Sequence, residues 1–511
     1  MKTHTNIKTI PGSLATLLEI RGIGTSKVNT ICTTLGVKNL REFTTAVAME
    51  QLESVQTLTP QNRKDIRRAL KLYKDADSRI QFWDAMLQGK EILQTIRQFP
   101  EVKKASLAGS LRRGKDTIGD IDIVVQVSGP DKKKLLYKID RMPMTECIIA
   151  AGKHRICLVL RNQFLVYLYL TDEKHYGANL LHYTGPQSYN TMMENLAVNK
   201  GYRLNSNGLY DLKSHLYLAT EEEEIFRYML LDYVPPELRE AQDIIAAAAK
   251  HKLPSLVTFN QLKGDMQIHS DWSDGGENIE HIARYVFNTF PHYQYIVITD
   301  HASNERSGHV LQHGDISRQA AEIKRINDSM GYNYVKMGVE VDILDNGRLS
   351  LPDESLKQFD WVIASIHSHF TKDNTDRLMK ACENPHVHCI GHPSGRLIGS
   401  RNPYPVNWDQ LFEKAAVTGT AMEINARPNR LDLNDTLAGK AIARGVKLVI
   451  NTDAHTLPQF DYMQLGIWVA RRGAVAGRQT SLTPVPGKKL KNLKRINGPL
   501  FSSCYKRSHK I

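Results

Sequence analysis

Short apolar runs punctuate the C-terminal half of the chain, and one after another they close on a histidine or a carboxylate. The run ending at Ile268 leads into His269 and Asp274, Tyr295–Thr299 into Asp300 and His301, and Val335–Val339 into Glu340. Trp361–Ile366 leads into His367 and His369, Cys389–Gly391 into His392, and Val446–Thr452 into Asp453 and His455. Such runs predict buried strands, and the mixed-polarity segments between them predict helices, the rhythm of a parallel βα barrel. In that architecture reactive side chains sit at the C-terminal ends of the strands and converge on one mouth. A single histidine after a strand is more often a satisfied polar residue than a ligand. Repetition at successive strand ends favours ligation, and imidazole mixed with carboxylate suits Zn²⁺, Mn²⁺ or Fe²⁺ better than Ca²⁺. This half therefore reads as a multinuclear metallohydrolase. His281, His292, His309, His313, His386 and His388 lack the placement and are set aside.

The N-terminal half has a different pattern. Residues up to about Asp75 read as helical. The clearest strands beyond them are Ala105–Ala108, Ile121–Val127, Ile156–Leu160 and Phe164–Leu170. Glu221–Glu224 reads as a solvated helix start, where the dipole favours acids, and an alanine-rich helix is expected from Glu237 to about Lys250. In Leu17–Val28 a G-I-G turn between two helices exposes backbone N–H groups that can cradle a phosphate, with Lys27 in reach; Gly22, Gly24 and Lys27 are the candidate DNA contacts. In A-G-S-L-R-R-G-K-D-T-I-G-D-I-D, Gly109 and Ser110 bring backbone close to a triphosphate that Arg112 or Arg113 neutralises. Asp120 and Asp122 are two apart on a strand, so both carboxylates face one side and can hold two Mg²⁺ ions for attack on an α-phosphate.

Length and charge extend this picture. A chain of 511 residues exceeds one ordinary core, and a net charge of +13 favours a polyanionic partner, nucleic acid first. Six scattered cysteines without a C-x-x-C pair read as reduced thiols. No stretch is long enough to span a bilayer, and no signal-peptide core is visible at the start; the expectation is a cytoplasmic protein. The segment 481–511, rich in Lys and Arg, reads as a basic tail able to touch DNA phosphate or simply to aid solubility.

Together with Y-T-G-P-Q-S-Y-N (Tyr183–Asn190), P-P-E-L-R-E and G-H-P-S-G-R, these strings resemble the bacterial family X DNA polymerases that carry a C-terminal PHP (polymerase and histidinol phosphatase) domain. The resemblance runs from Leu17 to Gly473. It implies a multidomain α+β and α/β chain: a helix-hairpin-helix region over 1–75, a nucleotidyltransferase fingers, palm and thumb over 76–235, a linker helix over 236–260, and a distorted (β/α)₇ barrel over 261–480. It implies Mn²⁺ or Zn²⁺ held by His269, Asp274, His301, Glu340, His367, His392, Asp453 and His455. Glu340 would bridge, and Glu340 and His367 would be central to catalysis. In the palm it implies Mg²⁺ or Mn²⁺ on Asp120 and Asp122, and nucleotide at Gly109, Ser110, Arg113, Gly119, Tyr183, Gly185 and Asn190. Arg396 and Arg427 are candidate phosphate clamps, with structural ion pairs as the alternative.

The chain departs from that family in three ways. The chain is expected to lack the family's first small domain, so grip on the 5′ side of a gap should be weaker. Tyr167 stands where the palm needs its third aspartate, and a phenol titrating near pH 10 cannot supply an anionic ligand; Asp172 would face the wrong side unless the strand slips. Gln267 replaces the first histidine of a D-x-H-x-H motif. The expectation is a DNA-repair protein, monomeric and free of membranes, whose barrel hydrolyses DNA from 3′ ends and whose polymerase centre is impaired. An active gap-filling polymerase using dNTPs is the first alternative, and a histidinol-phosphatase-like phosphoesterase the second.

Overall fold

The computed structural model describes residues 25–37, most of 42–67, and then 79–128, 131–241, 243–302 and 310–474. The G-I-G turn with Gly22 and Gly24, His309 and the basic tail lie outside the described residues. Lys27 is described: it lies in the helix Thr25–Leu35, with its ammonium donating to Asn62 Oδ1 at 2.9 Å.

Two short strands, β1 (Ile80–Gln81) and β3 (Thr117–Ile118), pair antiparallel at the edge of the palm. The palm itself is a five-stranded sheet of β2 (Val102–Leu107), β4 (Ile121–Val127), β5 (Thr145–Ala151), β6 (Arg155–Leu160) and β7 (Leu165–Thr171), ordered β2-β4-β7-β6-β5. Only β4 and β7 run parallel; their register sets Asp122 opposite Tyr167. Strand β5 is the one the hydrophobic pattern missed. Its register slips twice against β6, and only Thr145 and Ala150 are buried, so no clean alternation marks it.

Beyond the palm, β8 (Tyr202–Asn205) and β9 (Gly208–Asp211) form a ribbon beside the helices Gln187–Asn199 and Glu222–Tyr228. The acidic helix start is as expected, with a capping box between Glu221 and Glu224, but it is not solvated throughout: Glu222 is buried, paired with Arg112 and Arg239. The alanine-rich linker helix is shorter than expected. A single turn at Pro236–Leu238 precedes Ile244–Ala249, with Asp243 in the left-handed region between them. Arg239 explains the break. It is buried, pairs with Glu222 at 2.9 Å, and is ringed by Tyr189, Phe226 and Tyr233. Anchoring that guanidinium outweighs the helix propensity of the alanines downstream.

The barrel strands are β10 (Gly264–Ile268), β11 (Tyr295–Ile298), β12 (His301–Ala302), β13 (Val335–Asp342), β14 (Trp361–Ser365), β15 (Cys389–Ile390), β16 (Ala421–Asn425) and β17 (Leu448–Asn451). They are all parallel in the order β10-β11-β13-β14-β15-β16-β17, with β12 against β13. A bridge from Ile268 to Ala454 joins the first strand's end to the chain just past the last. Met266, Val297, Trp361, Ile363, Cys389, Ala421 and Val449 pack together as one apolar cluster from six strands.

Palm and barrel share a packed seam. Trp468 meets Phe82 edge-on at 5.8 Å, Tyr462 meets Trp83 at 5.2 Å, and Asp116 is gripped by Arg396 (2.8 Å) and Arg472. Among the described residues no helix is long and apolar enough to cross a membrane.

Candidate functional site

Glu340 sits near the C-terminal end of β13, buried, with four imidazoles around its carboxylate. His269 Nε2 lies 3.4 Å from Oε2 and His301 Nδ1 3.6 Å; His367 Nε2 lies 3.5 Å from Oε1 and His392 Nε2 3.3 Å. Burial alone would protonate this carboxyl, yet the imidazoles of His301, His269, His392 and His367 hold its pKa well below the usual carboxylate range. Asp453 lies 3.1 Å from His269 Nε2, and its pKa too is depressed against the pull of burial, chiefly by that histidine. Asp274, half-exposed, approaches His455 Nε2 at 3.3 Å and His301 Nε2 at 3.7 Å.

Every barrel residue expected as a ligand is thus brought to one mouth. Their ligand atoms form three convergent groups: His269, Asp274, His301 and His455; His301, Glu340 and His367; and His269, Glu340 and Asp453. His392 touches Glu340 without joining these groups. The donor set fits divalent cations on a second observation as well. Glu340 Oε1, both ring nitrogens of His269, His392 Nδ1 and Gln267 Oε1 are buried without a hydrogen-bond partner, a condition costly for polar atoms unless an ion or water meets them.

Outer partners orient the cage. Asp342 lies 2.6 Å from His367 Nδ1, which leaves Nε2 to face Glu340. The Asp453 carbonyl does the same for His455 at 2.9 Å. Beneath them Glu423 accepts from the His392 backbone N–H at 2.7 Å and from Asn451 at 2.7 Å. Full burial drives its pKa well up. Asp265, fully buried and pushed up to about 7, accepts from Thr452. Two ligands, His392 (φ 26°) and Asp453 (φ 55°), lie in the left-handed region, a cost that packing at functional sites sustains. His369 is not part of the cage; it pairs with Asp345 at the surface.

Sequence reasoning missed Asp342, Asp265, Glu423 and Arg430. A signal existed for two of them: Asp342 is two residues past Glu340 on one strand, and Glu423 interrupts an apolar run as the ligands do. Arg430 Nε and Arg427 Nη1 lie 3.8 and 3.7 Å from Asp453, so positive charge borders the cage. Arg396 does not. It donates to the carbonyls of Arg430 and Leu431 and pairs with Asp116 across the seam, so of the two readings open for it the structural ion pair holds.

In the palm the expected nucleotide residues cluster around the aspartate pair. Gly109 (φ +59°) lies so close to Asp122 that a Cβ there would stand 1.8 Å from Oδ2; with Ser110 it opens the short helix Gly109–Arg112. Arg113 donates to the Thr184 carbonyl and pairs with Glu240 at 2.8 Å, beside Gly185. Gly119 lies against Arg79, and Asn190 donates to the His182 carbonyl at 2.7 Å. Arg112 is occupied by Glu222, Thr184 and Tyr233, whereas the charge of Arg113 reaches both Asp120 and Asp122. Asp122 is pushed up to about 7 by burial and then by the charge of Asp120; Asp120 too is raised by burial. The face that meets them is aromatic. Tyr167 stands opposite Asp122, the Tyr169 hydroxyl donates to Asp122 Oδ1 at 2.9 Å, and Tyr183 stacks on Tyr169 at 3.5 Å. No strand slip brings Asp172 in; it caps His175 at the surface.

A polymerase-type nucleotidyltransferase palm and thumb, docked on a parallel barrel whose mouth gathers groups of His, Asp and Glu that could hold metal ions, is the class that this fold defines. A family model for the DNA polymerase beta thumb matches residues 179–240. The DNA polymerase/3′-5′ exonuclease PolX of Bacillus subtilis is 33% identical over 472 residues, which is 91% of this chain and 82% of that protein. The chain belongs to this PolX family, the bacterial family X DNA polymerases with a C-terminal PHP domain. A probable phosphatase of Caldanaerobacter subterraneus is 32% identical over 176 residues of the C-terminal part, 32% of this chain and 64% of the relative. Among solved structures, Leishmania infantum polymerase beta in a ternary complex aligns over 45% of this chain and all of its own, at 17% identity and a TM-score of 0.34.

Proposed function

We propose that the protein is a DNA-repair enzyme of the cytoplasm whose working centre is the barrel, a metal-dependent 3′-5′ exonuclease, and whose palm is impaired as a polymerase. The observation that carries this reading is the contrast in ligand supply: three complete donor groups in the barrel, against an aspartate pair faced by Tyr167 and bonded by Tyr169. When bound, Mn²⁺ or Zn²⁺ supplies Lewis acidity for the phosphoryl group and a water ionised near neutral pH. The chain's own residues do the rest. Asp342 fixes the His367 ring, Glu340 offers both carboxylate oxygens between the donor groups, and Arg427 and Arg430 bring positive charge to where a phosphate would enter. The palm, with Gly109, Ser110, Arg113, Gly119, Tyr183, Gly185 and Asn190, retains a nucleotide-shaped cradle. The helix-hairpin-helix segment (Gly22, Gly24, Lys27) and the net charge of +13 hold gapped or 3′-ended DNA as a monomer.

The test uses 3′-labelled and 5′-labelled oligonucleotides and a gapped primer with dNTPs, each with Mn²⁺. Stepwise loss of 3′ label, absent in His367→Ala, is expected, with little primer extension. Robust extension abolished by Asp120→Ala would establish the gap-filling polymerase instead. Rapid phosphomonoester turnover with DNA left intact would establish a small-molecule phosphatase.

A further inference from the structure

Gln267 sets one of the three barrel positions apart. The outer group offers three imidazoles and one carboxylate, and the group around His367 offers two imidazoles and one carboxylate. The third, His269 with Glu340 and Asp453, offers one imidazole and two carboxylates, and it alone is wholly buried. Gln267 lies beside this third group, also buried, in a stretch where β10 and β11 lose register between Asp265 and Ile268. A bulge of this kind re-aims a side chain beside an active site. Here the amide Nε2 donates to Glu340 Oε2 at 3.1 Å, the oxygen that also lies 3.4 Å from His269. Its Oε1 is buried with no hydrogen-bond donor in the described structure. A buried amide oxygen without a donor, on the side chain that bonds Glu340 of this carboxylate-rich group, is the arrangement a cation satisfies.

We infer that Gln267 makes this buried position an oxygen-dominated cation site that prefers Mn²⁺ or Mg²⁺, while the imidazole-rich positions take Zn²⁺, so the loaded centre is heterometallic. The reason lies in the donors. Zn²⁺ outcompetes Mn²⁺ most strongly where imidazole nitrogen is supplied, and its advantage shrinks as carboxylate and amide oxygens replace nitrogen. The inference rests on the barrel being a hydrolytic metal centre, but its test reads metal, not turnover.

Full-length protein is stripped with a chelator and titrated with Zn²⁺ in the presence of excess Mn²⁺. Bound metal is measured by elemental analysis after desalting and by the electron paramagnetic resonance of Mn²⁺. The wild type should keep a bound Mn²⁺ signal after Zn²⁺ has filled its stronger positions. Gln267→His should lose that signal and gain Zn²⁺ there with affinity raised by about tenfold or more. Gln267→Glu, which keeps an oxygen donor, should retain Mn²⁺, and it guards against a histidine variant that fails to fold. Zn²⁺ displacing all Mn²⁺ from wild type as readily as from Gln267→His overturns the inference. No stoichiometric metal on either protein overturns both this inference and the hydrolytic reading. Heterometal loading without DNA hydrolysis leaves the inference standing and removes only the nuclease.

Discussion

Barrel and palm each bury a carboxylate for which we propose a cation-holding role, and they treat its charge in opposite ways. Glu340 is ringed by imidazoles that keep it ionised in spite of full burial. Asp122 has a second aspartate and a phenol for company, and its pKa is pushed up to about 7. Charge compensation in the barrel is thus built into the protein, whereas in the palm it must come from outside. The same contrast governs tolerance to substitution. Exchanging His269's strand neighbour for Gln267 leaves three donor groups intact. Placing Tyr167 opposite Asp122 removes a carboxylate from a set that began small.

The sharpest way to break the comparison is to remove ligands from each half in turn. His367→Ala should lower DNA hydrolysis on the order of 10³-fold or more, since the Lewis acidity it helps to hold is worth several kcal/mol of transition-state stabilisation. Asp120→Ala should leave hydrolysis within a few-fold of wild type. Single-turnover rates on a 3′-labelled strand decide the matter, and an equal loss in both variants would mean that the halves share one chemistry.

Restoring what the palm lacks should have the next largest effect. Tyr167→Asp places a carboxylate opposite Asp122 on the parallel neighbour strand, the position from which it can share a cation. Primer extension on a gapped template with Mn²⁺ should rise at least about tenfold. No gain would indicate that the aromatic stack of Tyr169 and Tyr183, rather than the missing carboxylate, closes the site.

How far this contrast could be read from the chain varies with the kind of interaction. Most of the cage residues announce themselves because they follow apolar runs, and Tyr167 because the family resemblance implies an aspartate there; its register with Asp122 is visible only in the fold. Asp265 opens the D-x-H-x-H motif and Glu423 interrupts an apolar run, but the part they play was not legible: they hold backbone N–H groups of Thr452 and His392 from below, a long-range pairing with no local spacing. Arg396 looked like a phosphate clamp, beside His392 in sequence, but its partner Asp116 comes from the other half of the molecule. Strand β5 escaped because its bulges erase the period on which pattern reading depends. Alanine propensity likewise failed at Arg239, whose burial against Glu222 is a tertiary demand.

The charge contrast also predicts opposite responses to pH. Asp122 holds its proton up to about 7 in the fold against an ordinary 3.8. Between those values the native state binds a proton that the unfolded chain has released, so stability falls as pH rises and the loss is complete above about 7. Asp122→Asn should remove that slope, so that in chelator the variant melts above the wild type at pH 8 and near it at pH 4. Parallel melting curves for the two proteins at every pH would show that the aspartate pair is already compensated within the palm.

The smallest effect concerns the seam that joins the two regions. Arg396 spends its guanidinium on Asp116 and on the carbonyls of Arg430 and Leu431, so it supports Arg430, which borders the cage, and the Gly114–Asp120 segment of the palm. Arg396→Met keeps most of the aliphatic bulk and removes the donors. Because Arg472 still pairs with Asp116, while the carbonyls of Arg430 and Leu431 lose their donor, the loss should be about 1 kcal/mol in stability. DNA hydrolysis at a permissive temperature should change by less than about threefold. A fall in kcat without a fall in melting temperature would instead place Arg396 on the substrate phosphate. That result would tie the palm seam to the barrel's chemistry and erase the functional separation on which the comparison of the two halves depends.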